Sequence, residues 1–106
     1  MSLDTRMIVE ADVATLVLVG EADAESAPDL HRLVTDATRS PLRQLTLDVT
    51  GLTYLSSAGL RCLVYAHQRL GRGVRIVLVG ANDVVAETIR LTGFDRSIEL
   101  RPEVGP

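Results

Sequence analysis

The chain has 106 residues, of which 46% are hydrophobic and 24% charged, and it carries a net charge of −3. This fits one folded domain with a core of its own. The acidic balance and an aromatic content of 3% exclude the basic stripe and stacking platform of a nucleic-acid binder. A single cysteine, Cys62, excludes an internal disulfide and a cysteine metal cluster, and fits a reducing compartment.

The start, "MSLDTR", lacks the basic and then apolar pattern of a signal peptide. No apolar run approaches the ~20 residues of a membrane span. A cytoplasmic protein without direct membrane insertion is expected. In chain order, "RMIVEA" (6–11) is a weak strand pattern and "ATLVLVG" (14–20) a plain one. Their closeness across "DVA" predicts a hairpin. "ESAPDLHRLVTDATRS" follows with Leu30, Leu33, Val34 and Ala37 at helical spacing. Ser26 reads as its N-cap, with Pro28 in the first turn and Asp29 completing a capping box.

"QLTLDVT" (44–50) is the next strand, ending at a turn "VTGL". "AGLRCLVYAHQRLGRG" places Leu60, Leu63, Val64 and Leu70 on one helical face and stops at Gly71 and Gly73. "VRIVLVG" (74–80) is almost unbroken, the pattern of a strand covered on both faces or central in a sheet. "NDVVAETIRLTGF" puts Val84, Val85, Thr88 and Ile89 on one side, with Gly93 as the stop. "SIEL" (97–100) is a last short strand, and 102–106 reads as a frayed tail. The order β-β-α-β-α-β-α-β predicts one α/β domain spanning 1–106 with an ordered core over about 6–101. Its sheet is expected to be mixed and four- to five-stranded, with an antiparallel N-terminal edge. Right-handed crossovers advancing the same way place the helices mainly on one face.

Catalytic and cofactor motifs are absent from the sequence. There is no phosphate loop and no G-x-G-x-x-G, and "GRG" closes a helix before a strand, so no cofactor is expected. His31 and His67 lie far apart with no companion cluster, so no metal is expected. "SSAGL" (56–60) is not a G-x-S-x-G elbow. His67 follows Ser57 on the same predicted helix, roughly 15 Å along its axis, where a nucleophile–base pair needs about 3 Å. The chain therefore reads as no enzyme, without catalytic residues. His67 reads as a neutral histidine at the core margin and Cys62 as a small core or border residue. Asp48 has two readings, a turn residue bonding nearby N–H groups or an acid lining a site around Ser57. Ser57, opening a strong helix, is explained by an N-cap role alone unless another protein modifies it.

The stretch "LTLDVTGLTYLSSAGLRCLV" (45–64) resembles the signature of STAS domains, in particular the bacterial anti-sigma factor antagonists. Asp48 and Thr50 match the strand end of that signature, Tyr54 its aromatic, and Ser57, Ala58, Gly59 and Leu60 its helix start. "GEADAESAPDL" (20–30) is similar to the family's G-E-x-D segment, and "GFDRSIEL" (93–100) to its closing turn and strand. The resemblance implies that Ser57 is a phosphoacceptor. It implies that the unmodified domain binds an anti-sigma factor serine kinase with a histidine-kinase-like fold and so frees a sigma factor. A serine phosphatase of the metal-dependent type would reverse the modification, and any ATP would belong to the kinase.

Partner-facing positions implied by the same resemblance are Asp23, Thr50, Ser56, Ser57, Ala58 and Gly59. One departure stands out: the family's usual Asp before the phosphoacceptor is Ser56 here. The change alters kinase recognition, marks a lost switch, or makes Ser56 itself the acceptor. The alternative function is a non-phosphorylated STAS subunit of a membrane transport complex, docking on an ATPase.

Overall fold

A computed structural model describes residues 2–102. Its elements are β1 (Leu3–Glu10), β2 (Val13–Ala22), α1 (Ala27–Ala37), β3 (Gln44–Leu55), α2 (Ser57–Leu70), β4 (Arg75–Val79), α3 (Asp83–Thr92), a 3-10 turn (Phe94–Arg96) and β5 (Glu99–Arg101). The sheet runs in sequence order, β1-β2-β3-β4-β5. Only the β1–β2 pair is antiparallel, closed by a two-residue turn at Ala11 and Asp12 with Ala11 at φ 54°. Every crossover advances by one strand in the same direction, so right-handedness puts α1, α2 and α3 on one face.

That face supplies the hydrophobic core of the described residues. Leu16 and Leu18 from β2, Leu45 and Leu47 from β3 and Leu78 from β4 pack against Leu30, Val34, Leu63, Val85 and Ile89 from the helices, all essentially inaccessible. Burying each such side chain contributes about 1.5–3 kcal/mol. β4 is also covered on its other face, where Val77 is fully buried and Val79 nearly so, as its unbroken apolar run suggests.

Several expectations from sequence need correction. The first strand spans Leu3–Glu10 rather than residues 6–11. Of the expected tail, only Pro102 is among the described residues. β3 does not turn at "VTGL" but runs on to Leu55. It does so through two register shifts against β2, where Val17 and Val19 oppose Asp48 and Gly51, and Gly20 and Glu21 oppose Leu52 and Tyr54. Each shift is a one-residue bulge, which resets which side chains face the core. Buried positions therefore change from every second residue (Leu45, Leu47, Val49) to every third (Leu52, Leu55).

In α3 the inward face is Val85, Ala86 and Ile89, whereas Val84 is 57% exposed. At α1, Ser26 occupies the N-cap position but its side chain makes no capping bond, and Asp29 pairs with Arg32 instead of closing a box.

Candidate functional site

The C-terminal ends of β2 and β3 meet the start of α2. Ser56 has extended backbone (φ −81°, ψ 171°), and its N–H donates to the Ala22 carbonyl at 2.8 Å. Its hydroxyl accepts from the Gly59 N–H at 3.1 Å, which makes Ser56 the N-cap of α2. Ser57 is the first helical residue, exposed, with no hydrogen bond from its side chain among the described residues. The cap reading of Ser57 is thus corrected: either serine has the composition of a cap, but the backbone bond to Ala22 holds Ser56 in the extended conformation a cap requires.

Gly59 allows the close approach. A Cβ there would lie 2.8 Å from the Ala22 carbonyl oxygen and 3.0 Å from both the Ala22 Cβ and a Leu55 methyl. No side chain fits without moving α2 away from the sheet end.

The loop after β2 is tied down next to this point. The Asp23 N–H donates to the Ser26 hydroxyl, and the Ser26 N–H donates to the Asp23 carboxylate, each at 2.9 Å. This reciprocal box sits one turn upstream of the one expected from Ser26 and Asp29. The Ser26 hydroxyl is buried and also lies 3.0 Å from the Glu21 carbonyl, to which it donates. Asp23 is accordingly held below the ordinary carboxylate range, chiefly by the Ser26 backbone N–H, against the opposing effect of desolvation, with the Ser26 hydroxyl adding to the lowering. Asp23 is a loop-fixing acid rather than a freely solvated one.

Thr50 is exposed on the bulged part of β3. A Cβ at Gly80, which has φ +80°, would lie 2.2 Å from the Thr50 hydroxyl, so glycine is required at that contact. The Thr50 N–H donates to the Asp48 carboxylate at 3.1 Å, so Asp48 bonds a nearby backbone N–H as one of its two readings had it, but from within the strand at its bulge rather than from a turn. Thr53 bridges its hydroxyl to the Gly20 carbonyl at 2.9 Å across the second bulge.

Asn82 does two things that sequence reasoning missed. Its side-chain carbonyl accepts from the Val85 N–H at 2.8 Å and caps α3, while its amide donates to the Leu52 carbonyl at 3.0 Å. The capping half was legible in "NDVV", an Asn opening a helix; the bond to Leu52 needed the tertiary fold.

Of the positions named from sequence, Ser57 and Thr50 are exposed, Asp23, Ser56 and Ala58 are half-buried, and Gly59 is buried. Asp23, Ser56, Ser57, Ala58 and Gly59 gather where the Ala22 carbonyl meets the helix start; Thr50 and Tyr54, the latter 45% exposed, lie on the strand leading in. His67 stands at the core margin, edge-on to Phe94 with ring centres 6.0 Å apart, as expected. The Cys62 thiol is buried at the α1–α2 border, near the Ala27 and Ala58 carbonyls, and burial pushes its pKa up. Among the described residues no group of three or more His, Cys, Asp or Glu side chains has the arrangement to hold a metal ion, and no helix is long and apolar enough to cross a membrane.

The sequence profile of the STAS domain matches residues 5–105. The chain belongs to the STAS domain family. The anti-sigma-F factor antagonist RsfB of Mycobacterium tuberculosis is 27% identical over 88 residues, covering 83% of this chain and 72% of that protein. The crystal structure of an anti-sigma factor antagonist from Mycobacterium paratuberculosis superposes with a TM-score of 0.89 at 25% identity, over 97% of this chain and 88% of that one. The unphosphorylated form of the antagonist SpoIIAA shares the STAS fold at 13% identity, with a TM-score of 0.72 over 98% of this chain and 90% of its own.

Proposed function

We propose that this STAS domain is an anti-sigma factor antagonist whose partner binding is switched off by phosphorylation at Ser57. Unmodified, it binds a cytoplasmic anti-sigma factor serine kinase through the surface around Ser57; phosphorylation releases that partner, and a metal-dependent serine phosphatase resets the domain. It acts as a binding regulator rather than an enzyme. Support for antagonism comes from the family and from the relatives named for it.

One observation carries the switch. Ser57 presents its hydroxyl to solvent at the first position of α2, while the structural bond that begins the helix is made by Ser56. A phosphate on Ser57 breaks no bond of the fold. It adds about −1.5 to −2 charges to a surface fitted to a neutral group, and the helix N-terminus tolerates that charge. Ser56, in place of the family's usual Asp, retains the cap while removing the charge beside the acceptor.

The test is incubation with the cognate kinase and ATP, followed by mass spectrometry. One phosphate on Ser57 and loss of the partner complex are expected. Phosphate on Ser56, or no phosphate with a partner that demonstrably binds, would overturn the switch. In the second case the domain would bind its partner without a switch at Ser57; no phosphate and no bound anti-sigma partner would move the transport-subunit reading ahead.

A further inference from the structure

We infer that a second copy of this chain pairs with the first along β1, the two strands antiparallel about a two-fold axis at Ile8, so that two five-stranded sheets become one. The inference is independent of the switch at Ser57.

β1 is an outer strand of the sheet, eight residues long, and every residue after Leu3 is exposed. Met7, Ile8 and Val9 are 41%, 39% and 52% exposed, an apolar run between the charged Arg6 and Glu10. The Glu21 N–H bonds to the Ser2 carbonyl, and the register places Ser2 opposite Glu21. Alternation along an antiparallel ladder then turns the backbone groups of Asp4, Arg6, Ile8 and Glu10 toward β2, and those of Thr5, Met7 and Val9 outward.

Natural sheets blunt such edges with short strands, proline, bulges or charge clusters. The opposite edge is blunted: β5 has three residues, and its Glu99 is engaged by Arg75 and Arg101. β1 has no proline and an unbroken register.

Its charges suit a copy of itself. About an axis at Ile8, Arg6 lies opposite Glu10 of the second copy, and Glu10 opposite Arg6. Neither has an ion-pair partner within the chain among the described residues. Met7 faces Val9, Val9 faces Met7, and Ile8 faces Ile8. The outward backbone groups of Met7 and Val9 fall opposite each other, where they exchange hydrogen bonds. An axis at Met7 instead sets Asp4 against Glu10; an axis at Thr5 pairs Asp4 with Arg6 but sets Ile8 against Ser2 and leaves Glu10 with no strand residue opposite. The Ile8 axis brings Asp4 opposite Asp12 only beyond the strand end, where Asp12 lies in the hairpin turn and pairs with Arg43. Cross-strand apolar and opposite-charge pairs stabilise a ladder, whereas like charges oppose it. Ile8 aligns with Thr15 and Thr46, toward the end of the sheet away from Leu55 and the first turn of α2. The dimer therefore leaves both Ser57 surfaces open.

Sedimentation equilibrium on the full chain tests this. A dimer with a dissociation constant of about 100 µM or tighter is expected. Arg6→Glu and Glu10→Arg should each weaken it at least about tenfold, and the double reversal should restore it, with circular dichroism showing each variant folded. On wild-type protein, hydrogen exchange at the Met7 and Val9 amides should slow with concentration, while the inward Ile8 amide does not respond. A monomer at about 1 mM, a dimer indifferent to the single reversals, a double variant no better than the singles, or concentration-independent exchange at Met7 and Val9 would each overturn the pairing.

Discussion

Ser56 and Ser57 carry the same side chain on adjacent residues, yet the backbone turns one hydroxyl into the fold and leaves the other to solvent. Ser56 is held by the Ala22 carbonyl and bonds the Gly59 N–H; Ser57 is exposed. Residue type does not separate them, because either hydroxyl meets the requirements of a cap and of a kinase substrate. Their places relative to the end of β2 do. Under the proposed switch this division gives the acceptor a stable platform: the neighbour makes the structural bond, so a charge added at Ser57 would break none.

The largest expected effect comes from removing what makes the arrangement possible. In an ordinary exposed helical position, Gly→Ala stabilises by about 1 kcal/mol. Gly59→Ala should do the opposite, because its Cβ would meet the Ala22 carbonyl at 2.8 Å. Overpacking of this kind costs about 1–3 kcal/mol, and a domain of this size loses about 4–8 °C of melting temperature per kcal/mol. A raised melting temperature would show that α2 moves away freely and that neither serine is rigidly placed.

Next in size is the charge test at the exposed member. Ser57→Asp should melt like wild type, since a carboxylate suits a helix N-terminus. It should bind the anti-sigma partner at least tenfold more weakly, about 1.4 kcal/mol. Ser57→Ala should bind normally, resist phosphorylation and keep its stability. Wild-type affinity in a folded Ser57→Asp protein would remove the functional half of the comparison.

Smaller again is the loss of the inward bond. Ser56→Ala should cost about 1 kcal/mol of stability, the usual loss for an N-cap hydroxyl. Ser56→Asp should restore stability, because Asp caps well, and should speed phosphorylation of Ser57 by returning the family's acid. Thermal melts and initial phosphorylation rates on the two variants check this. An unchanged melting temperature in Ser56→Ala would return the cap to Ser57.

How far the sequence reveals all this depends on the range of the interaction. Leu45, Leu47 and Val49 announce a strand by alternation, and Ser57 to Leu60 announce a helix start, because those signals are local. After Val49 the apolar spacing widens to three at Leu52 and Leu55, and "VTGL" reads as a turn. Only pairing with β2 shows that two bulges carry the strand onward. The same limit explains the two misplaced caps. Ser26 followed by Asp29 has the spacing of a capping box, but the Asp23 backbone and carboxylate reach Ser26 first. What sets Ser56 apart from Ser57 is a backbone bond to Ala22, far away in the chain. The positions proposed to face a partner rest on the family resemblance, whereas the burial of Gly59 and the fixing of Asp23 belong to the packing of the loop against the helix.

The smallest effect separates two helix entries by charge. α2 begins on a neutral cap, Ser56, whose bond does not titrate near neutral or acidic pH. The turn leading into α1 is closed by Asp23, whose carboxyl is held below its ordinary value, first by the Ser26 backbone N–H. A group with a depressed folded pKa adds stability above its unfolded value, here near 3.8, and that contribution fades as pH falls through the folded value. Asp23→Asn retains an acceptor for the Ser26 N–H but loses the charge. The wild type should therefore be the more stable protein near pH 6, and the difference should shrink below about pH 4. Glu99, lowered by Arg75 and Arg101, titrates in both proteins, so it cancels in the comparison. Installing Ser56→Asp should add a second acid-sensitive contribution at α2, visible as a steeper loss of stability over the same acidic range. Denaturant melts of the three proteins at pH 6 and pH 3 read both differences. A gap between wild type and Asp23→Asn that is the same at the two pH values would mean that the Asp23 carboxylate contributes no charge-dependent bond to the loop.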